Sequence, residues 1–173
     1  MTADEVRELE RSSIRGFVTS CREHLTGRVL DYGCGRQPYR DIVEYAGGEY
    51  VGYDRADFPA NVSGEDVGPD YDALPVGGFD AVLSTQTIQY HEEPYELLLD
   101  FRALLRPGGV LVITGPTCWP EVESEDLFRF TQAGIGLMLR EAGFAVLRLV
   151  PRAGVSVAPG FDFSLGWGAV GRA

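Results

Sequence analysis

Two short apolar segments that each end in an acidic residue constrain the fold of this chain more than any other feature. The first runs from Val29 to Asp31 and leads into the glycine turn Gly33-Cys34-Gly35, and the second runs from Val51 to Asp54. An apolar strand, a glycine turn and an acid at the end of the next strand are typical of doubly wound α/β folds that hold a nucleoside. The glycines let a ligand approach the backbone, and the Asp54 carboxylate is placed to accept from both hydroxyls of a ribose.

The rest of the sequence alternates between strand and helix patterns, which predicts a mostly parallel sheet with one reversed strand. Helices are predicted over 3–25, 38–46, 94–105 and 131–142. Strands are predicted over 28–31, 50–54, 62–67, 79–84, 110–114, 144–150 and 161–172, with a sharp turn at 106–109. Residues 55–78 are rich in Gly, Pro and Asp, so we expect a loop with a short third strand and no full helix. Residues at the carboxyl ends of the strands are expected to converge, because ligands of such sheets bind there.

Composition bounds the class of protein. The 173 residues, 45% of them hydrophobic, are expected to form a single domain over 1–173 with a proper core. A formal net charge of −11 argues against nucleic acid and anionic membranes as partners, because both attract clustered Lys and Arg. No apolar run reaches about 18 residues, and the N-terminus lacks the apolar segment of a secretory signal. The three cysteines have no metal-ligand spacing, so we expect reduced thiols, a cytoplasmic protein and no metal site.

Six stretches in a fixed order resemble the class I S-adenosylmethionine (SAM)-dependent methyltransferases of the type-11 group. They are Val29–Gly35, Val51–Asp54, Asp70–Pro75, Phe79–Ser84, Leu104–Gly109, and Phe128–Thr131 leading to Glu141–Phe144. The resemblance covers about residues 25 to 172. It implies an α/β, Rossmann-like, doubly wound sheet of seven strands in the order 3-2-1-4-5-7-6, with strand 7 antiparallel. It also implies that the N-terminal helix over 1–25 covers the site. The composition of residues 55–78 departs from the family pattern, so we expect the third strand and the helices after it to be short or irregular.

The resemblance further implies which residues hold the cofactor. They are Asp31, Gly33, Cys34, Gly35, Asp54, Arg55, Asp70, Tyr71, Ser84, Thr85 and Gln86. The backbone around Gly33 would lie against the methionine part of SAM, while Asp31 reaches its amino group and Asp54 binds its ribose.

Other members of this set would contact the adenine and the sulfonium. Asp70 would accept a hydrogen bond from the adenine amine, and the backbone of Tyr71 would meet the ring. Ser84, Thr85 and Gln86 would line the floor near the sulfonium. The product would be S-adenosylhomocysteine.

A small-molecule acceptor is expected between the 116–130 loop, Tyr39 and the pair Tyr90-His91. Trp119 follows directly after a predicted strand end, and loops on a rigid scaffold are where binding residues collect. Tyr39 and Trp119 are therefore candidate substrate contacts. His91 or Tyr90 could remove a proton from a phenol or amine, and aromatic packing is the alternative for both tyrosines. The acids at 121–126 are interpreted as a solvated loop that could face a basic substrate.

Two other classes of function remain open at this point. The chain could bind SAM without methyl transfer, as a partner or regulatory subunit. An NAD-dependent reductase would also use Asp54 for a ribose, but the chain lacks the order Gly-x-Gly-x-x-Gly that such enzymes place after the first strand. A monomer and a homodimer are both compatible with the sequence.

Overall fold

Seven strands form one sheet in the computed structural model, in the order β3-β2-β1-β4-β5-β7-β6. The structure describes residues 2–54, 67–68, 74–120, 126–158 and 161–173. The strands are β1 (Gly27–Tyr32), β2 (Gly48–Tyr53), β3 (Val67–Gly68), β4 (Phe79–Thr85), β5 (Leu105–Pro116), β6 (Ala145–Ala158) and β7 (Phe161–Arg172). Strand pairs from β3 to β5 are parallel, and β7 is antiparallel to both of its neighbours. The predicted fold class and strand order are confirmed.

Four α-helices flank the sheet within the described ranges. They are α1 (Ala3–Ser20), α2 (Arg40–Tyr45), α3 (Pro94–Leu104) and α4 (Gln132–Glu141). A capping box starts α1, because Thr2 and Glu5 each accept a hydrogen bond from the other's backbone N–H. The predicted extension of this helix to residue 25 is wrong, since α1 ends at Ser20 and a 3-10 turn follows at Arg22–His24.

The predicted turn at 106–109 lies inside a longer strand. Leu105 pairs with Phe79 and Val110 pairs with Ala81, so residues 106–109 form a bulge opposite Asp80. The predicted third strand is present only as Val67–Gly68, and residues 55–66 and 69–73 lie outside the described part of the chain. The predicted strand at 144–150 extends to Ala158, because β7 continues to pair with it along its length.

The sheet buries apolar side chains on both of its faces. Residues such as Leu30 and Val82 pack against α3 and α4, whereas their strand neighbours Val29 and Ala81 pack against α1 and α2. Trp167 is fully buried in the first of these clusters. Burial on both faces is typical of parallel sheets and leaves the carboxyl ends of the strands as the exposed edge where residues can converge on a ligand.

Candidate active site

The glycine turn after β1 is tied to the end of β2. The backbone N–H groups of Gly33 and Cys34 both donate to the Tyr53 carbonyl, at 2.8 and 3.0 Å. The Gly35 N–H donates to Asp54 Oδ2 at 2.6 Å. The turn and the acid that the sequence singled out are therefore one hydrogen-bonded unit, and Asp54 is buried within it.

Gly33 has a conformation and surroundings that only glycine tolerates. Its φ is +75°, and a Cβ atom built on it would lie 2.2 Å from Thr87 Oγ1. Thr87 is itself positioned by hydrogen bonds from its hydroxyl to the carbonyls of Thr85 and Tyr32, at 3.2 and 3.4 Å. The close approach holds the turn against the segment that follows β4.

A cavity of about 490 Å³, here called the strand-end cleft, opens beside this turn. Its described lining residues are Tyr32, Gly33, Tyr53, Asp54, Thr87, Tyr90, His91, Glu92 and Glu93. Tyr32 and Tyr53 are register partners at the ends of β1 and β2, and their rings stack with centroids 4.9 Å apart. The cleft has the size of a small-molecule site and combines aromatic walls with carboxylates.

Asp31 lies fully buried behind the turn. The Tyr50 hydroxyl donates to its Oδ2 at 2.6 Å, and its Oδ1 has no hydrogen-bond partner among the described residues. Burial raises the pKa of Asp31 to about 7, against the lowering effect of Tyr50, and the nearby Asp54 charge adds to the rise. A buried carboxyl group with an unpaired oxygen is suited to a cation such as an ammonium group.

A second cavity of about 260 Å³ lies on the side of the N-terminal helix and is here called the helix-side cavity. Its described lining residues are Arg7, Glu10, Arg11, Gln86, Gln89, Tyr90, Pro116, Trp119, Asp126 and Arg129. The three residues from α1 have the 3- and 4-residue spacings of one helix face. Tyr90 lines both cavities, so the two spaces share a wall.

A buried ion pair joins α1 to the far edge of the sheet. Arg152 Nη2 on β6 lies 3.0 Å from Glu10 Oε1, and both side chains are more than nine-tenths buried. Arg152 also donates to the Trp167 carbonyl at 2.9 Å and to Ser13 Oγ at 2.8 Å. Gln86 Nε2 donates to the same Glu10 oxygen at 3.4 Å. The network fixes α1 over the carboxyl end of the sheet.

Arg129 connects the two described ends of the 116–130 loop. It forms a two-bond ion pair with Asp126 and donates to the carbonyls of Trp119 and Pro120, both at 3.2 Å. Asp126 is buried by this contact, so its interpretation as part of a solvated acidic loop is wrong. Glu121, Glu123 and Glu125 lie outside the described residues.

The structure brings together part of the predicted site. Gly33, Asp54, Tyr90 and His91 line the strand-end cleft, and Gln86, Tyr90 and Trp119 line the helix-side cavity. Arg55, Asp70 and Tyr71, which were predicted to contact SAM, lie outside the described residues.

The remaining predicted residues are buried behind these surfaces or half-buried. Ser84 is fully buried, and neither it nor Thr85 is among the described lining residues of the two cavities. Tyr39 is also buried, and burial raises the pKa of its hydroxyl. The Cys34 thiol is buried, which raises its pKa to about 12 and keeps it protonated at neutral pH.

Four polar residues that shape the candidate site were not identified from the sequence: Tyr50, Tyr53, Glu10 and Arg152. Tyr50 and Tyr53 stand in a predicted strand, where aromatic residues usually indicate packing. Glu10 lies in a helix rich in charged residues, and Arg152 lies beyond the predicted end of its strand. The one available signal was the charged residue Glu10 at a helix position that is buried. Such a signal for a buried ion pair is weak when the partner is not known.

Two absences concern only the part of the chain that is described. No helix there is long and apolar enough to cross a membrane. No group of three or more His, Cys, Asp or Glu side chains in the same ranges is arranged to hold a metal ion.

Comparison with known proteins identifies the family. A family model described as a methyltransferase domain matches residues 7–149. A ubiquinone biosynthesis O-methyltransferase from Roseobacter denitrificans is 34% identical over 97 residues, which cover 49% of this chain and 39% of that protein. The match thus spans well under half the length of that relative.

Solved structures share the fold at low sequence identity. A SAM-dependent methyltransferase from Archaeoglobus fulgidus superposes with a TM-score of 0.74 at 15% identity, covering 94% of each chain. The 1,6-didemethyltoxoflavin N1-methyltransferase from Burkholderia thailandensis superposes with a TM-score of 0.70 at 20% identity. It was solved with 1,6-didemethyltoxoflavin and S-adenosylhomocysteine bound. That alignment covers 98% of this chain and 85% of the other. The chain therefore belongs to the methyltransferase-domain family, which confirms the class I methyltransferase predicted from its motifs.

Proposed function

We propose that this chain binds SAM in the strand-end cleft and transfers the methyl group to an O, N or C atom of a small molecule held in the helix-side cavity. The observation that carries the proposal is the unit formed by Asp31, the turn at 33–35 and Asp54. It combines a buried carboxyl oxygen that has no hydrogen-bond partner among the described residues, a backbone turn with no room for a side chain at Gly33, and a carboxylate at the edge of the cleft. The unpaired oxygen fits an ammonium group, and the carboxylate of Asp54 fits a ribose. The glycine turn lets the methionine part of the cofactor lie against the backbone.

Each of these residues would hold a different part of the cofactor at the strand ends. Asp31 would pair with the amino group, and Asp54 would accept from the ribose hydroxyls. When bound, SAM supplies an activated methyl group, whose bond to sulfur breaks with the electron pair kept by sulfur while an acceptor lone pair forms the new bond to carbon. Tyr32 and Tyr53 would exclude water from the cleft, and the protein contributes mainly by alignment.

The acceptor's proton leaves on transfer, and His91 or Tyr90 would receive it. His91 lines the strand-end cleft, and its Nδ1 is buried without a hydrogen-bond partner among the described residues. Tyr90, in the wall between the two cavities, is the alternative. An acceptor that is already deprotonated would need neither group.

A small molecule is the acceptor class that the charge and the relatives support. The net charge of −11 disfavours nucleic acid. One relative is named as an O-methyltransferase of ubiquinone biosynthesis, and the Burkholderia enzyme is named for a small heterocycle. A cytoplasmic location is part of the same proposal and fits the three free cysteines, Cys21, Cys34 and Cys118.

A thermal-shift comparison of SAM, S-adenosylhomocysteine and NAD tests the cofactor. A ligand that binds only the native state raises the unfolding midpoint by mass action, so both adenosyl compounds should raise it and NAD should not. A rise with NAD alone would contradict the proposal. Formation of S-adenosylhomocysteine with an acceptor panel then separates an enzyme from a SAM-binding partner protein.

A further inference from the structure

We propose that the helix-side cavity selects an aromatic acceptor that carries both an anionic group and a hydroxyl or amine donor. A phenolic carboxylate has this chemistry. The inference rests on the methyltransferase function proposed above and names the acceptor class for its second cavity. Three independent features of the lining carry it: its charge, its unpaired acceptor oxygens and its aromatic walls.

The described lining of this cavity carries more arginines than acids, whereas the whole protein carries a net negative charge. Its described lining contains three arginines and two acids, and both acids are already paired, Glu10 with Arg152 and Asp126 with Arg129. Arg7 and Arg11 are exposed at the open side, and Arg11 has no ion-pair partner among the described residues. A cationic opening in a chain of net charge −11 favours an anionic ligand.

Arg7 remains available to such a ligand although it contacts Asp4. The two side chains are 2.9 Å apart and largely exposed. Exposed pairs of this kind contribute little free energy, so a carboxylate on the ligand can replace Asp4 at small cost. Arg7 and Arg11 are four residues apart on α1 and therefore lie on one face of the helix.

Two buried acceptor oxygens of this cavity's lining have no donor among the described residues. Glu10 Oε1 accepts from Arg152, but Glu10 Oε2 has no partner among the described residues. Gln89 Nε2 donates to the Gln86 carbonyl at 2.9 Å, and its Oε1 likewise has no partner in the described part of the chain. Both residues are more than nine-tenths buried. Buried acceptors left unpaired are costly, so a donor on the ligand gains free energy by pairing with them once the two side chains turn toward it.

Tyr90 and Trp119 supply the surface for a ring between these two sides. Both line the cavity, and Arg129 holds the backbone of Trp119 through its carbonyl. Aromatic side chains in the lining of a cavity favour a flat, apolar ligand body. Because Tyr90 also lines the strand-end cleft, a ring packed here lies beside the proposed cofactor space.

Calorimetric titration with three probes tests the inference in the presence of saturating S-adenosylhomocysteine. 3,4-Dihydroxybenzoate carries the donor and the carboxylate, catechol lacks the carboxylate, and benzoate lacks the donors. We expect 3,4-dihydroxybenzoate to bind about tenfold or more tightly than either of the others. Equal binding of the three probes, or no binding while S-adenosylhomocysteine binds, would overturn the inference.

Matched variants locate the binding in this cavity. Arg11→Ala, at an exposed position, should weaken the binding of 3,4-dihydroxybenzoate by about tenfold. The affinity for catechol should not change, since catechol lacks the carboxylate that Arg11 would contact. Gln89→Met should weaken the binding of catechol and leave the affinity for benzoate unchanged. Arg22→Ala, beyond the other end of α1, is the charge-matched control and should change neither. An equal loss in the Arg11 and Arg22 variants would show a non-specific charge effect and reject the site.

The two proposals fail in different ways. If S-adenosylhomocysteine does not bind, the cofactor proposal falls, and titration of the probes without it still tests the cavity. If S-adenosylhomocysteine binds but the probe preferences are absent, the methyltransferase proposal stands and the acceptor class is wrong.

Discussion

Arg152 and Glu10 form a buried ion pair although 142 residues separate them in the sequence. The pair connects the N-terminal helix to an edge strand. It also stands next to Gln86, which follows β4 and adopts a positive φ of 53°. A helix that the sequence alone places on the surface is thereby fixed to the strand ends and forms one side of the helix-side cavity.

Removing one partner of this pair should destabilise the protein strongly. Glu10→Ala and Arg152→Ala are each expected to lower the free energy of unfolding by about 3–5 kcal/mol, because the remaining charge is buried without its partner. The double variant Glu10→Leu/Arg152→Met should recover most of the loss. Urea unfolding measures all three. Losses that simply add in the double variant would show that the two charges do not depend on each other.

Ionisation of Asp31 should make the ligand-free protein less stable as the pH rises. Its pKa is about 7 in the folded state and near 3.8 when unfolded, so the folded state holds the proton more tightly between these values. Stability is therefore greatest below about pH 4 for this group and falls by up to about 1.4 kcal/mol per pH unit until about pH 7. Asp31→Asn keeps the contact to Tyr50 and should remove this slope. Identical pH profiles of unfolding for the two proteins would contradict the assignment.

The charge of Asp54 should contribute more to cofactor affinity than the shape of its side chain does. Asp54→Asn can still accept from the Gly35 N–H, whereas Asp54→Ala cannot. We expect both to weaken S-adenosylhomocysteine by about 1.5–3 kcal/mol in calorimetry, the range for hydrogen bonds to a charged group. Only the Ala variant should also loosen the turn, seen as faster amide exchange at Gly35. Unchanged affinity in both variants would remove Asp54 from the site.

An alanine at Gly33 should cost more than an alanine at another glycine of similar φ. Gly77 has a φ of +63° and nothing within 4 Å of a built Cβ, so Gly77→Ala carries only the backbone penalty of about 1–2 kcal/mol. Gly33→Ala adds the clash with Thr87, and Gly33→Ala/Thr87→Ala should recover part of that addition. Urea unfolding and S-adenosylhomocysteine titration measure both effects. Equal losses at the two glycines would show that the turn adjusts freely.

Trp119 should affect the acceptor and not the cofactor. It lines the helix-side cavity and is absent from the described lining of the strand-end cleft. Trp119→Ala should therefore impair turnover or acceptor binding while cofactor affinity changes by less than about 0.5 kcal/mol. Leu127→Ala, an exposed apolar position of the same loop, is the control. The reverse pattern, with cofactor affinity lost and acceptor binding intact, would place the loop over the cofactor.

Much of the fold could be predicted because its signals are local. The helix at Gln132–Glu141 begins after Thr131, whose side chain accepts from the Gly134 N–H, as the capping pattern indicates. The bulge at 106–109 could not be predicted, because a Pro-Gly-Gly sequence describes a sharp bend whether or not the flanking residues remain in a strand. Only the pairing of β5 with β4 on both sides of it distinguishes the two cases.

The sequence by itself determined the order of the elements, the acids at the ends of β1 and β2, and the membership of the family. Apolar periodicity and a glycine turn followed by an acid are properties of neighbouring residues, and they persist whatever the rest of the chain does. The tertiary structure alone decided which polar groups meet: Tyr50 with Asp31, Arg152 with Glu10, and Asp126 with Arg129. These contacts depend on side-chain directions after packing, and burial then turns ordinary charges into costly ones that must be paired. Among the described residues, the same burial leaves one oxygen each of Asp31, Glu10 and Gln89 without a donor, which we propose a bound ligand supplies.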